Sequence, residues 1–228
     1  MPIFGRRSAP EPPANPDDWR PQRFGRGFRA IRNAIVEPSW EGVRVLARLS
    51  GGHTRFTDEE GVDCTEEFDT VAAAITAAAL AGDFILDGFL TVEATQVVAG
   101  KPMADFQTPT KGQVMTQWIA GSRAVKASPP ERHLDPDRPI AFVAVDLLSI
   151  DGSSLLDVPL LERKRLLDSA LTPGELVRVT PFVQAPGGTF VTTWRGLGFS
   201  ELAYKAVNSR YTPNLRNNDW STLPMPTK

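Results

Sequence analysis

The strongest constraint on the fold is a short alternating stretch that ends in a pair of glycines. From 43 to 49 every second residue is apolar, and two of the three residues between them are arginine. This period of two is typical of a half-buried β-strand. Gly51-Gly52 predicts a hairpin turn, and a return strand is expected to begin at His53. The pair predicts an antiparallel sheet with at least one covered face.

Other segments repeat these patterns without a regular alternation of strand and helix. An amphipathic helix is expected after Asp157, with Lys164 near its apolar face and Arg163 turned away from it. The sequence has no glycine-rich phosphate loop of the strand–loop–helix type. We predict an α/β fold of the α+β kind, with largely antiparallel sheets flanked by helices. Strands are expected at 84–92, 140–148, 176–183 and 202–207, helices at 68–79 and 113–126, a turn at 186–188 before 190–194, and loop at 208–228.

The N-terminal region differs from the rest in composition. Residues 1–32 contain seven arginines and three acids, whereas the whole chain has a formal net charge of −2. Six prolines within the first 23 residues leave little material for a core, so we predict that residues 1–30 form a disordered arm and residues 31–228 the folded domain. The arm is either a solvated tail or a nucleic-acid-binding segment. Its candidate DNA-binding residues are Arg20, Arg23, Arg26, Arg29 and Arg32.

Composition also excludes several classes of protein. A single cysteine, Cys64, excludes a disulfide framework and a cysteine-rich zinc site. No apolar run approaches the roughly 18 residues of a membrane helix, and no apolar secretion signal begins the chain. We therefore expect a cytoplasmic protein.

Several short motifs, taken in order, resemble the adenylation domain of ATP-dependent DNA ligases, most closely the bacterial end-joining and repair type. The resemblance spans about residues 35–222 and implies the nucleotidyltransferase fold that ligases share with mRNA capping enzymes, with a nucleotide cleft between its sheets. Family ligases also carry an OB-fold domain after the closing motif, and we expect none here. The matching segments are Glu37-Pro38 with Gly42-x-Arg44, Leu86-Asp87-Gly88-x-Leu90, Asp146-Leu147-Leu148, Pro159-Leu160-Leu161-Glu162-Arg163, Lys205, and the series Ser209, Tyr211, Pro213, Arg216, Asp219 and Trp220.

The resemblance fails at the positions that perform the family's chemistry. In the family a lysine attacks the α-phosphorus of ATP, which requires an activated amine, a metal held by carboxylates and cations around the transferred group. Here Ser39 occupies the lysine position, and the motif offers no obvious base to activate its hydroxyl. The other departures are Glu41 for aspartate, Phe89 for a ribose- and metal-binding acid, Val145 for the adenine-stacking phenylalanine, Ser200 and Glu201 for a Glu-Gly pair, and Thr222 and Pro224 for two lysines.

We therefore predict that no catalytic residue and no metal site are retained. A remnant of the nucleotide site is assigned to Glu37, Glu41, Gly42, Arg44, Phe89, Asp146 and Lys205. Glu37, Arg44 and Lys205 either hold an anion or a base, or form structural ion pairs.

Three hypotheses follow. The leading one is a catalytically inactive ligase-like domain that binds DNA or a DNA-repair protein, requires no cofactor and has at most low affinity for ATP or AMP. The second is a divergent but active ligase or AMP-transferase that uses Ser39. The third is a regulatory domain that binds ATP or AMP noncovalently.

Overall fold

A computed structural model of the chain describes residues 11–27, 31–92 and 139–225, together with the backbone of 97–98 and 101–102. The helix predicted at 113–126 lies outside these residues. The strands are β1 (Arg23–Phe24), β2 (Ala34–Pro38), β3 (Val43–Ser50), β4 (His53–Asp58), β5 (Phe84–Thr91), β6 (Val97–Val98), β7 (Lys101–Pro102), β8 (Ala141–Ile150), β9 (Ser153–Ser154), β10 (Val177–Val179), β11 (Val183–Gln184), β12 (Glu201–Ala206), β13 (Arg216–Asn217) and β14 (Trp220–Pro224), and the α-helices are α1 (Asp69–Ala78), α2 (Leu160–Ala170) and α3 (Gly188–Gly196).

The larger sheet has six strands in the order β10-β8-β5-β3-β4, with β9 paired to β8. All its pairings are antiparallel except that of β10 with β8. The predicted hairpin is confirmed, because Gly51 and Gly52 take positive φ angles between β3 and β4. The predicted strands at 84–92 and 140–148 are confirmed as β5 and β8. The mixed class with mainly antiparallel sheets is therefore correct.

The smaller sheet has four antiparallel strands in the order β11-β2-β12-β14. It corrects two sequence-based predictions. The region 208–228 is not all loop, because β14 pairs with β12 along its length. The single strand predicted at 176–183 is two strands, since β10 joins the larger sheet and β11 the smaller. Residues 190–194, which follow the predicted turn, lie in α3, where Trp194 is almost completely buried.

The two sheets are held by three apolar clusters. The first packs α1 against the larger sheet and contains Val45, Phe56 and Ile75. The second contains Leu46, Ile85 and Trp220, and the third contains Val36 of β2 with Val145 of β8. The second and third clusters thus join the two sheets. In the part of the chain that the structure describes, no helix has the length and apolar character that crossing a bilayer needs.

The N-terminal segment differs from the disordered arm expected for residues 1–30. Residues 11–27 are described, and Trp19 is only 3% exposed within the second cluster. Its indole Nε1 donates to the carbonyl of Pro13 at 2.8 Å, and Arg48 donates to the carbonyls of Pro16 and Trp19 at 2.8 and 3.1 Å. Burial of the Trp19 ring, together with the hydrogen bonds from the Arg48 guanidinium, offsets the entropy lost when a proline-rich segment is ordered.

Candidate functional site

The candidate site begins where β2 ends, at the edge of the smaller sheet. Ser39 follows β2 directly, and its backbone N–H donates to the carbonyl of Glu201, the first residue of β12, at 3.0 Å. The half-buried Ser39 hydroxyl also donates to Oε2 of Glu201 at 3.1 Å. The motif itself offers no base, but the fold places a carboxylate beside this hydroxyl. The carboxylate comes from a strand about 160 residues away, so motif spacing gave no signal for it.

A cavity of about 360 Å³ opens beside this pair. Two carboxylates, two hydroxyls and a proline line it. Glu41, which was assigned to the nucleotide remnant, is one of the carboxylates and is exposed. None of the described residues that line it is cationic. The lining residues are Ser39, Glu41, Ser200, Glu201 and Pro224.

Gly42 connects this edge to β3, and only glycine suits its position. Its φ of +134° is strained for any side chain, and a Cβ there would collide with the backbone carbonyl of Leu90. Gly88 is equally constrained, because a Cβ would strike the ring of Phe142 at an irregularity in the pairing of β5 with β8. Both glycines of the ligase-like motifs therefore have a structural role in this chain.

Arg44 on β3 is committed to a buried ion pair with Asp87 on β5. Its Nε and Nη2 donate to the two carboxylate oxygens at 3.0 and 2.7 Å, and its Nη1 donates to the carbonyl of Gln22 at 2.8 Å. Tyr211 also donates its hydroxyl to Asp87, at 2.8 Å. Burial, followed by the neighbouring Asp87 carboxylate, raises the pKa of Tyr211 well above its usual value. The phenol therefore stays protonated and can donate.

Phe89 lies next to Arg44 in the register of β3 and β5. Its ring centroid is 5.8 Å from the guanidinium carbon of Arg44, and Phe24 of the N-terminal segment approaches the same carbon to 5.7 Å. The guanidinium thus has two aromatic neighbours as well as its carboxylate. Phe89 also packs against the third cluster.

Glu37 on β2 is buried between two lysines. Its Oε2 lies 2.6 Å from Nζ of Lys205, and its Oε1 contacts Nζ of Lys164 on α2. The Lys205 ammonium also lies 4.2 Å from the centre of the Trp220 ring, an arrangement that favours a cation. Burial lowers the pKa of Lys205, while attraction to Glu37 opposes that shift. Sequence reasoning gave Lys164 no role, although its place on the apolar face of α2 was a signal.

Asp146 on β8 forms a third buried ion pair, with Arg163 on α2. Arg163 donates Nε and Nη2 to the two carboxylate oxygens at 2.8 and 2.7 Å, and Nη1 to the carbonyl of Ser209 at 3.1 Å. Both side chains are completely buried. The prediction that Arg163 turns away from the core is wrong, because a helical charge with a bidentate partner on the adjacent strand can be buried.

The arginines assigned to a DNA-binding arm lie apart from this site. Arg23, Arg26 and Arg32 are exposed, and Arg29 lies outside the described residues. Arg20 is half-buried and donates to the backbone carbonyls of Asp17 and Trp19. Among the described residues there is no group of three or more His, Cys, Asp or Glu side chains placed to hold a metal ion.

The chain matches known proteins over most of its length. A model of the ATP-dependent DNA ligase domain matches residues 25–222. A probable DNA ligase of Streptomyces coelicolor is 30% identical over 194 residues, which cover 82% of this chain and 34% of that protein. The multifunctional non-homologous end joining DNA repair protein LigD of Mycobacterium tuberculosis is 25% identical over 194 residues, covering 85% of this chain and 22% of LigD. The chain thus spans about a third or less of these curated relatives.

A solved structure shows the same fold. The ligase domain of M. tuberculosis LigD superposes with a TM-score of 0.62 and 23% sequence identity, covering 90% of this chain and 59% of that chain. Because the predicted nucleotidyltransferase fold is the one this domain has, that prediction is confirmed.

Proposed function

The chain belongs to the family of ATP-dependent DNA ligase domains, and on that premise we propose that it is a noncatalytic ligase-type nucleotidyltransferase domain that serves as a DNA-binding module in DNA repair. The names of its relatives, which include DNA ligases and a DNA repair protein, support DNA as the partner. The observation that carries the noncatalytic part is the environment of Ser39, where the family has its nucleophilic lysine.

The electrostatics of the Ser39 cavity support this proposal. Adenylation brings the polyphosphate of ATP to the nucleophile and requires positive charge around it. The cavity next to Ser39 instead presents Glu41 and Glu201, and in the described part of the chain no cationic residue lines it. Two carboxylates repel a polyphosphate, and at separations of a few ångströms the cost is about 1 kcal/mol or more per pair even in water.

The buried ion pairs add a second line of support. The ligase resemblance implies that Glu37 lies near the adenine amino group of a bound nucleotide. In this chain its two oxygens instead contact Lys164 and Lys205. Arg44 is likewise committed to Asp87 and to the carbonyl of Gln22. A nucleotide would have to displace buried, charge-assisted contacts, whose loss is expensive. This lining does not fit ATP, and we propose no cofactor or metal.

Labelled ATP provides the test. The chain is incubated with α-labelled ATP and Mg²⁺ or Mn²⁺, and the products are separated by denaturing electrophoresis beside the ligase domain of M. tuberculosis LigD. We expect label on the control and none on this chain. Covalent label on this chain would overturn the noncatalytic proposal.

One observation favours the active alternative. The hydrogen bond from Ser39 to Glu201 provides the carboxylate base that a serine nucleophile needs. In this alternative Ser39 attacks the α-phosphorus of ATP, pyrophosphate leaves, and the hydroxyl proton passes to Glu201. Ser39→Ala and Glu201→Gln will then each abolish labelling, whereas Ser200→Ala, which changes a neighbouring cavity hydroxyl, will not. Absence of label on the unaltered chain excludes this alternative directly.

A further inference from the structure

The N-terminal segment and a C-terminal strand build a second, positively charged surface. β1 pairs with β13 in parallel, and Arg23 is the register partner of Arg216. Register partners of adjacent strands project from the same side, so these two exposed arginines stand next to each other. Arg26, three residues after Arg23, is also exposed. The chain thus joins arginines from its two ends on one small sheet.

Local charge on this surface is not balanced along the sequence. Residues 19–27 and 214–218 contain four arginines and no acid. The nearest acids in sequence are the exposed Asp18 and Asp219, each one residue outside these segments. The backbone N–H of Asp219 is bonded to the side chain of Asn217. Like charges placed directly opposite on neighbouring strands are destabilising. A pair such as Arg23 and Arg216 is favourable when an anion lies across both guanidinium groups.

The surface is held rigidly, which distinguishes it from a loose basic tail. Arg23 donates its backbone N–H to the carbonyl of Leu215, and Gly25 donates to the carbonyl of Trp220, each at 2.8 Å. The ring of Phe24 packs against Trp220 at 5.5 Å between centroids. Arg216 itself donates Nη1 to the carbonyl of Phe24. The backbone that carries Arg23 and the guanidinium of Arg216 are therefore fixed before a ligand arrives, which reduces the conformational entropy lost on binding.

From this arrangement we propose that Arg23, Arg26 and Arg216 form a binding surface for the phosphate backbone of DNA. The proposal rests on the DNA-binding function proposed above and assigns it to a place. A guanidinium presents paired N–H donors that match phosphate oxygens, and each contact releases condensed counterions. Arg216, which the sequence assigned only to a closing motif, becomes part of the interface. Arg20 is excluded, because it is half-buried and its Nη1 donates to two backbone carbonyls. Arg216 also donates Nη1 to a carbonyl, but its side chain is exposed.

The test is the salt dependence of binding to a fluorescently labelled blunt DNA duplex, measured by anisotropy on the full chain. We expect Arg23→Gln and Arg216→Gln each to reduce the slope of log K against log salt by about 0.9, and the double variant by about 1.8. Arg216→Lys keeps the charge and should retain the slope. Arg165→Gln removes one charge from the exposed face of α2, 68% exposed, and should leave the slope unchanged.

Four results would overturn the proposal. In the first, the salt slope of Arg23→Gln and Arg216→Gln equals that of the unaltered chain. In the second, Arg165→Gln reduces the slope as much as they do. In the third, the unaltered chain binds no duplex, and in the fourth, polyglutamate displaces the duplex at matched charge. The first two results would contradict only the location of the DNA-binding surface. The third would also contradict the proposal that DNA is the partner. The ATP-labelling result is independent of all four, so the noncatalytic proposal is judged separately. Melting temperatures of the variants verify that each one folds.

Discussion

The interior between the two sheets contains residues that match the ligase motifs, whereas the cavity at Ser39 departs from those motifs. In the interior the residues that match the ligase motifs are present, and each forms a close buried ion pair: Arg44 with Asp87, Asp146 with Arg163, and Glu37 with Lys205. The cavity is lined by serine and glutamate at positions where the ligase resemblance predicts a lysine and other residues. The matching residues also hold strands and a helix together. The proposed loss of chemistry is compatible with retention of the fold, because the two depend on different side chains.

The Asp146–Arg163 pair gives the largest test of this contrast. Asp146→Asn leaves a fully buried guanidinium without its charged partner, and we expect unfolding to become easier by about 3–5 kcal/mol. Urea denaturation measures this loss. Asp157→Asn is the matched control, because its partner Arg210 is on the surface and the expected change is below about 1 kcal/mol. Equal effects of the two substitutions would remove the distinction between interior and surface pairs.

We expect Glu37 to contribute more to stability than either of the two lysines, Lys164 and Lys205, that contact it. Glu37→Gln leaves two buried ammonium groups facing a neutral amide, whereas Lys164→Met leaves one carboxylate with one lysine. We expect the first to cost about 3–5 kcal/mol and the second clearly less. Denaturation of both variants at neutral pH decides this. A larger loss for Lys164→Met would mean that Glu37 depends mainly on that lysine.

The stability of the interior should depend on pH through Lys205, whose pKa burial lowers. Between the lowered value and the ordinary lysine value of about 10.4, the unfolded chain binds more protons than the folded chain. Stability should therefore rise with pH through that window, and Lys205→Met should remove the rise. The raised pKa of Tyr211 acts above about pH 10, where it lowers stability as pH increases. Denaturation of the unaltered chain and of Lys205→Met between pH 8 and pH 10 measures the contribution of the lysine. Identical slopes of unfolding free energy against pH in the two proteins would contradict its role.

At the cavity the expected effect is small. Ser39→Ala removes a single half-buried hydrogen bond to Glu201, which is worth about 0.5–1.5 kcal/mol. Thermal or urea unfolding measures the change, with Ser200→Ala as the neighbouring control. A loss above about 3 kcal/mol would show that Ser39 supports the fold as strongly as the buried pairs do.

The residues that sequence reasoning placed correctly share a local signal. The hairpin of β3 and β4, and the strands β5 and β8, follow from alternation, apolar runs and the Gly51-Gly52 turn. The order of short motifs then indicated the nucleotidyltransferase fold. These features depend on neighbours in the sequence, or on motifs that retain their order even where single residues change.

The features that sequence reasoning missed all depend on partners that are distant in the sequence. The burial of Arg163 requires Asp146, the anchoring of Trp19 requires Leu46 and Ile85, and the base beside Ser39 comes from β12. No periodicity within one segment reveals a partner that lies in another sheet. The cavity was unpredictable for the same reason, because its lining joins residues from the ends of β2, β12 and β14.

Intact-mass spectrometry after incubation with ATP and Mg²⁺ shows whether the chain becomes adenylated. We expect the chain to keep its unmodified mass of 24.9 kDa, while the ligase domain of M. tuberculosis LigD, treated in parallel, gains one AMP. A species of this chain heavier by one AMP, and absent from Ser39→Ala, would contradict this expectation.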